Sequence, residues 1–543
     1  MGACTVDGPH GYQIESVVQM FGQFSGELSL QLPRWQERLM DDPGCLLEIE
    51  QEARTVFERG AAMVVGGLVA FALASRELAE ASERTRRGFA YPLARGRERK
   101  IRVQLLGNFF MWISSLYCEP KKGLFRKARP DASGVYVELA QFGFGKGVSP
   151  GLESVVARKA AMYPSLELAR EDLERDGIKL DVKAVRRVAN QCGQSMLELR
   201  AWWLAQFHEG RLQSTGELKG KRVCVQIDGG RTKLRSALRE PTAEEIAARK
   251  SQLDADGLPI SDVPARSKKR AQRTFDGQWR EPKLLTIFEH DDQGRMVKKS
   301  QATIDGTLLG PDHLAELVAM HLTRLGAAEA ASITFASDGA VWIWERIDWI
   351  VAMAKIPSQV KIHQVLDCCH AIHHVQLAVT ALGLVGEDRM RLYRAHRQSL
   401  RNGHWRQVHD ELSELGIDQP DNAALQTELE YLRKHGQAGR MSYVHFRSLG
   451  IPLGSGAIES NIRRVLNQRL KSNGMFWLAE NAETMLQLRS QVISGRWDER
   501  LKSIRDTKRH TRMPKAKWTP STNPKTEANS ETSKKPIKNH EFT

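Results

Sequence analysis

Cysteine patterns that hold a metal or a disulfide framework are missing from this sequence. It has seven cysteines in 543 residues, and no two of them form a Cys-x-x-Cys pair. Closely paired cysteines are the usual ligands of zinc ribbons and fingers, and an even, regularly spaced set is typical of small secreted disulfide scaffolds. We therefore expect neither kind of site, and a reduced chain in the cytoplasm.

A secretion signal and a membrane span are also missing. The N-terminus has no basic segment followed by an apolar core and a small-residue cleavage site. The most apolar run, Ala61 to Ala74, is shorter than the roughly 20 residues that a helix needs to cross a bilayer. We expect this run to form a buried helix and the protein to have no membrane partner.

Acidic residues are too few to balance the basic ones. The chain has 80 Lys and Arg against 65 Asp and Glu, which gives a formal net charge of +15. Such an excess suits a polyanion, either nucleic acid or an acidic membrane surface, and charge alone does not choose between them. At 543 residues the chain exceeds what one hydrophobic core usually supports, so we expect two or three domains.

The N-terminal part of the chain is predicted to be helical, with one small strand element. Residues 1–95 have apolar and charged residues at helical spacing, and we assign them to a helical N-terminal region. Lys100 to Leu106 and Phe109 to Tyr117 flank Gly107-Asn108, a pair that suits a hairpin turn. The hairpin and the helices after it form a predicted DNA-binding region, residues 96–215.

A helix-turn-helix is predicted within that region. Three helical segments follow one another, at about 150–162, 165–175 and 181–192. A turn containing Gly177 joins the last two segments, and the final helix carries Lys183, Arg186 and Arg187 opposite a row of valines. This pattern is typical of a recognition helix. A solvated helix in an ordinary bundle remains the alternative, because short helix pairs with glycine turns are common.

Strands and helices then alternate, which predicts a mixed α/β fold. The expected strands are 222–228, 283–289, 298–304, 332–337 and 360–367, and the expected helices between them are 311–325 and 341–353. Their order predicts a mixed sheet flanked by helices in a domain spanning 216–500. A polar insert at about 236–280 contains Lys268-Lys269-Arg270, and a helical insertion covers about 371–450. Residues 501–543 are basic and poor in apolar residues, so we expect a disordered tail.

Three acids in this domain have the placement that phosphodiester chemistry needs. Asp228 and Asp338 each end an apolar strand and are followed by glycine, and Glu459 lies at the start of a helix after Gly454-Ser455-Gly456. Hard divalent cations prefer carboxylate ligands, and strand ends hold such ligands at fixed separations. The pattern predicts that these three acids bind metal.

Other interpretations of these acids remain open. An Asp-Gly pair after a strand is usually only a turn. Glu459 could pair with Arg463 at helical spacing on a solvated surface. Glu345 and Asp348 are rival acids, which we interpret as surface charges because no glycine-lined segment precedes them.

Four motifs resemble those of the DDE transposases of bacterial insertion sequences, in particular the ISKra type. They are Asp-Gly-Gly-Arg at 228–231, Trp-Arg-Glu-Pro-Lys-Leu-Leu at 279–285, Ser-Asp-Gly at 337–339, and Gly-Ser-Gly-Ala-Ile-Glu-Ser at 454–460 with Gln-Arg-Leu-Lys at 468–471. The resemblance covers about Val148 to Arg496. It implies a ribonuclease-H-like catalytic core in which the three acids hold two Mg²⁺ or Mn²⁺ ions.

The resemblance also implies supporting and DNA-binding residues. Asp367 and His370 match a motif that supports the catalytic site, although His370 taken alone could be a packed core histidine. Basic residues near the acids are expected to bind phosphates, namely Arg231, Arg463, Arg464, Arg469 and Lys471. Relatives often carry a cysteine-rich hairpin before the helix-turn-helix, whereas here only Cys118 lies in that region.

The function that the resemblance implies is transposition. Such an enzyme binds the terminal inverted repeats of its element, exposes a 3′-hydroxyl and joins it to target DNA, as a homodimer or larger oligomer at the nucleoid. The triad alone predicts only metal-dependent phosphodiester chemistry. Two alternatives therefore stay open: a ribonuclease-H-like nuclease that does not join strands, and a DNA-binding regulator with a vestigial triad.

Overall fold

The protein has a mixed α/β structure, as the sequence predicts. The computed structural model describes residues 4–5, 14–87, 89, 92–121, 134–145, 147–237, 275–471 and 475–510. The basic triplet Lys268-Lys269-Arg270 and the predicted tail from residue 511 onward lie outside the described residues.

Two long helices and a small sheet build the N-terminal part. Helices α1 (Ile14–Asp41) and α2 (Leu46–Leu73) pack against each other and are followed by α3 (Arg76–Arg87). The sheet has the order β1 (Cys4–Thr5), β3 (Phe109–Cys118), β2 (Arg97–Leu105), and β4 (Val135–Tyr136) pairs with β3 before the short helix α4 (Val137–Gln141). Gly107 and Asn108 have φ values of 79° and 56° between β2 and β3, which confirms the predicted hairpin turn.

The apolar run 61–74 is only half buried, which corrects the prediction of a buried helix. It forms the C-terminal half of α2, where Met63, Ala70 and their neighbours pack on the β2–β3 hairpin. Val65 and Leu68 on the opposite face are 48% and 57% exposed. Among the described residues, the helical stretch Pro43–Leu73 is the one that has the length and composition to cross a membrane, a property that core helices of soluble proteins share.

Three helices follow in the region predicted as a helix-turn-helix: α5 (Pro150–Met162), α6 (Leu166–Arg175) and α7 (Val182–His208). The first has the predicted bounds, the second begins one residue later than predicted, and Gly177 has the left-handed φ of 73° that the turn requires. The predicted end of the third helix at Cys192 is wrong. Gly193 does not stop α7, because it lies where the helix packs closely on Thr484, and a Cβ there would be 2.3 Å from Thr484 Cγ2.

These three helices share one hydrophobic core with the rest of the C-terminal part. The largest cluster of buried residues runs from Val148 to Ile504 without a break at the predicted boundary between 215 and 216. The β2–β3 hairpin belongs to a different cluster. Helices α5–α7 thus pack on the sheet domain, whereas the β2–β3 hairpin packs on α2.

The central sheet has five strands: β5 (Arg222–Gly229), β8 (Lys283–Glu289), β9 (Thr303–Thr307), β10 (Ser332–Ser337) and β11 (Lys361–Leu366). Their order across the sheet is β11-β10-β5-β8-β9. β10 runs parallel to both β5 and β11, whereas β8 is antiparallel to β5 and to β9. Parallel neighbours end at the same edge, so the last residues of β5 and β10 lie side by side.

Helices and a second small sheet complete this domain. The helices between strands are α8 (Pro311–Leu325), α9 (Val341–Trp344) and α10 (Ile347–Met353). A two-stranded sheet of β6 (Thr232–Ala237) and β7 (Phe275–Arg280) lies between β5 and β8 in sequence. The insertion before Glu459 consists of α11 (Cys368–Ala381), α12 (Gly386–Arg401), α13 (Trp405–Leu415), α14 (Ala423–Gln437) and α15 (Tyr443–Ser448). After it come α16 (Gly456–Asn461), a π-helical turn (Ile462–Asn467), α17 (Ala479–Ile493) and α18 (Trp497–His510).

Several predicted bounds need correction. The third strand lies at Thr303–Thr307 rather than 298–304, because Lys298–Ser300 lie in a turn and the buried run starts later. The predicted helix 341–353 is two short helices, and the strands of the β6–β7 hairpin were missed. The predicted tail starts too early, because α18 extends through the first ten of its residues to His510.

Candidate active site

Asp228 and Asp338 lie at the ends of neighbouring parallel strands. The strands are joined there by a hydrogen bond from Ile227 N to Ser337 Oγ of 3.2 Å, one residue before each acid. Asp228 Oδ1 accepts a hydrogen bond from Gly229 N at 2.6 Å, and Asp338 Oδ1 accepts one from Ala340 N at 3.1 Å. Both side chains are half-buried. The sheet thus brings together two acids that are far apart in sequence.

Burial and neighbouring carboxylates raise the energy of the charged form of both aspartates. Burial, followed by the nearby charge of Asp338, raises the pKa of Asp228 to about 6. Burial also raises the pKa of Asp338, and the charges of Asp367 and Glu281 add to that effect. Among the described residues, no Lys or Arg forms an ion pair with either acid. The charge of His370 lowers the pKa of both aspartates and balances this anionic centre in part. A centre of this kind favours a bound metal ion.

Glu459 is brought to the same sheet edge by helix α16. Gln226 on β5 holds the start of this helix, since its Oε1 accepts from Ile458 N at 2.9 Å and its Nε2 donates to Gly454 O at 2.8 Å. Gly230 permits the close approach, because a Cβ there would lie 2.3 Å from Leu466 Cδ1. The negative charge of Glu459 contributes to the raised pKa of Asp228, which agrees with its position near the two strand ends.

The two predicted supporting residues lie beside Glu459. His370 Nε2 is 3.5 Å from Glu459 Oε1. Asp367 is buried and caps helix α11, where its Oδ1 accepts from His370 N at 2.9 Å. Ser455 Oγ lies 2.9 Å from both Asp367 Oδ2 and Glu459 Oε1, so a single hydroxyl connects the buried cap with the exposed acid. These contacts orient Glu459 from two sides.

The rival acids lie elsewhere. Glu345 and Asp348 are exposed on the surface formed by α9 and α10. Neither is among the charges that shift the pKa of Asp228 or of Asp338. The structure places both as surface charges, as the sequence predicts.

The three acids are not arranged as a complete metal-binding site. In the part of the chain that the structure describes, no group of three or more His, Cys, Asp or Glu residues is arranged to hold a metal ion. Glu459 instead shares its carboxylate with Ser455 and His370. The donor set nevertheless fits a hard divalent cation, because carboxylate oxygens are its preferred ligands. Neither aspartate forms an ion pair with a Lys or Arg of the described residues, and burial raises the pKa of both despite the charge of His370.

Residues of the helical insertion reach the same loop, which sequence reasoning missed. Tyr431 on α14 packs over Gly339, where a Cβ would lie 2.1 Å from its ring. Its ring stacks on His374 with the centroids 3.5 Å apart, and His374 Nδ1 lies 2.5 Å from Glu428 Oε2. His374 is therefore occupied in packing the insertion onto the loop after Asp338. Tyr431 is the one Phe, Tyr or Trp of α14, so no periodicity in the sequence indicated this contact.

Most of the predicted DNA-binding residues are exposed. Lys183, Arg186 and Arg187 lie on the surface of α7 while Val185 and Val188 beneath them are buried. The cations near the acids that are exposed are Arg231, Arg463, Arg464 and Lys471.

Arg469 does not fit its predicted role on the surface. It is 3% exposed, and its guanidinium lies 4.9 Å from the centroid of the Trp477 ring. Burial lowers its pKa to about 10. It follows a π-helical turn, which rotates later residues away from the face that regular helical spacing predicts. We therefore interpret Arg469 as part of the packing between this turn and Trp477.

Comparison with protein-family models, with curated proteins and with solved structures finds no match to this chain. Its function must therefore be inferred from the chemistry of the site.

Proposed function

We propose that this chain is a DDE transposase that cuts and joins DNA strands at a site formed by Asp228, Asp338 and Glu459. One observation carries the proposal: two half-buried aspartates end neighbouring parallel strands without an ion pair to a Lys or Arg of the described residues, and a helix brings a glutamate to the same edge. Strand ends of a mixed sheet plus an adjacent helix are the arrangement that a ribonuclease-H-like core requires. This supports that finer fold assignment.

The three acids would hold two Mg²⁺ or Mn²⁺ ions. When bound, such ions activate the attacking oxygen and stabilise charge on the leaving oxygen of the phosphodiester. The chain's own residues position the ligands for this purpose. The sheet fixes Asp228 and Asp338, and the Ser455 hydroxyl and His370 hold Glu459. Asp367 acts through Ser455 and the start of α11, so we assign it and His370 as positioning residues.

Exposed cations around this centre would hold double-stranded DNA, both element ends and target. Arg463 and Arg464 follow Glu459 within about one helical turn, so phosphate contacts and the catalytic acid share one segment. The exposed face of α7 supports a helix-turn-helix role, since its cations lie opposite the buried valines. Cutting and joining at two element ends favours a homodimer or larger oligomer at the nucleoid.

The experiment that tests joining uses the full chain, a labelled linear DNA carrying the sequences that flank its own gene, and a supercoiled plasmid with Mg²⁺. A transposase transfers the label to the plasmid. Nicked or shortened donor without transfer would favour the nuclease alternative. No metal-dependent change in the donor would favour the regulator, for which two unpaired half-buried aspartates would be a cost to stability without a use.

A further inference from the structure

One face of the β6–β7 hairpin is basic and aromatic. Lys233 pairs directly with Trp279 across the hairpin, and Arg235 lies two residues along the same strand, so the three side chains share a face. Phe476 completes this face, with Lys233 Nζ at 4.8 Å and the Arg235 guanidinium at 4.0 Å from its ring centroid. Leu234, on the other face, is buried. We call Lys233, Arg235, Trp279 and Phe476 the hairpin face.

The hairpin face is fixed relative to the proposed active site. Strand β6 begins shortly after Asp228, and Thr232 Oγ1 donates to Leu470 O at 2.8 Å. The chain after the Glu459 helix returns along β6, where Arg235 N donates to Trp477 O at 2.7 Å and Trp477 N donates to Lys233 O at 3.2 Å. The face is therefore connected by backbone hydrogen bonds to the segments that carry two of the three acids.

Trp279 is the residue of this face on which an unpaired base can stack, whereas a base inside a duplex cannot. Its side chain is 60% exposed, the largest exposure of a tryptophan in the described ranges. A base inside a duplex has both faces covered by its neighbours, whereas an unpaired base can stack on an aromatic ring. The adjacent cations offer contacts to the phosphates of the same strand.

We propose that the hairpin face binds an unpaired DNA strand next to the bond that is cut, with one base stacked on Trp279. This inference deepens the proposed function and rests on it, because DNA at the acidic site is what places a strand beside the hairpin. A strand that leaves the duplex at the cut can thereby be held in place by stacking and by charge.

Binding to three fluorescent probes tests this inference in the full chain without divalent metal. The probes are a dT30 strand, a 30-mer of abasic sites with the same phosphates, and a 30-base-pair duplex. Wild-type protein should bind dT30 about tenfold more tightly than the abasic strand, within the range expected for one stacked base. Equal affinity for dT30 and the abasic strand would overturn the proposal.

Variants then assign the effect to Trp279. Trp279→Ala should weaken dT30 binding about tenfold and duplex binding less than twofold, whereas Trp279→Phe should retain most of the affinity. Trp349→Ala is the matched control, because Trp349 is 41% exposed on α10, outside the hairpin face. Equal losses on dT30 and duplex, or no loss on either, would contradict the proposal. Because no metal is present, these results do not depend on whether the acids cleave DNA.

Discussion

Gly230 and Leu466 approach so closely that a side chain on the glycine would occupy the position of the leucine: a Cβ would lie 2.3 Å from Leu466 Cδ1. Gly230 immediately precedes Arg231 on the loop after Asp228, and Leu466 lies on the π-helical turn after Glu459. The two segments that carry these acids are thus in van der Waals contact at a point where only glycine fits. The separation of Asp228 and Glu459 depends on this contact.

Gly230→Ala should therefore displace the Glu459 helix. We expect a loss of stability of about 1–3 kcal/mol, as for other overpacked sites, and at least a tenfold loss of strand cleavage. The measurements are thermal unfolding and cleavage rate. Gly26→Ala is the control: a Cβ at this position on α1 meets nothing within 4 Å, so it should raise stability by about 0.5–1 kcal/mol. Full activity in Gly230→Ala would show that this contact does not set the site geometry.

The raised pKa of Asp228 predicts that the metal-free protein loses stability as the pH rises. Its contribution to stability is present while the carboxyl is protonated and is lost as the pH rises through about 6. At pH 7.5 in chelator, Asp228→Asn should therefore unfold at a higher temperature than wild type. The corresponding gain in the free energy of unfolding is at most about 3 kcal/mol. The difference should shrink at pH 5. Glu345→Gln, at an exposed acid outside the candidate site, serves as the control.

Mg²⁺ should stabilise the wild-type protein more than it stabilises Asp228→Asn. A cation bound between the acids stabilises the folded wild-type protein, whereas Asp228→Asn has lost a ligand. We expect Mg²⁺ to raise the unfolding temperature of wild type by more than that of the variant. Equal shifts in both proteins, or a variant that is less stable than wild type at pH 7.5 in chelator, would contradict the account of this carboxylate.

The exposed cations of α7 predict a weaker dependence of DNA binding on salt when they are removed. Replacing Lys183, Arg186 and Arg187 with Ala should weaken binding and make the salt slope shallower by up to about 0.9 for each lost phosphate contact. The buried Val185 and Val188 are untouched, so the variant should fold. Unchanged affinity and salt slope would support the alternative interpretation, in which α7 is an ordinary bundle helix.

Local signals in the sequence predicted the parts of this fold that depend on local chemistry. The strand before Asp228 was visible because an apolar run ends at a glycine pair, and the hairpin turn because Gly107 and Asn108 tolerate left-handed backbone. The end of α7 was missed because Gly193 is typical of a helix end, whereas here it allows close packing on Thr484. Tertiary packing decides such positions, and a sequence pattern does not report it.

In the candidate site, too, local features could be predicted from the sequence and tertiary contacts could not. The acids at strand ends could be proposed from spacing and glycines, but the hydrogen bonds of Gln226 to the start of α16 join residues more than 200 positions apart. Tyr431 and Gly339, which are in contact, also come from separate parts of the chain. The burial of Arg469 depends on the preceding π-helical turn, which no periodicity indicated. Long-range contacts therefore account for most of what sequence reasoning missed.

The most direct test of the central claim is strand cleavage by single variants of the three acids, measured with Mg²⁺ on DNA carrying the sequences that flank the gene. Asp228→Asn, Asp338→Asn and Glu459→Gln should each fold and bind DNA but lose cleavage by about a hundredfold or more, with a double variant little worse than a single one because the ligands act together. Glu345→Gln and Asp348→Asn should retain activity. A fully active Glu459→Gln protein beside an inactive Glu345→Gln protein would contradict the assignment of the third acid.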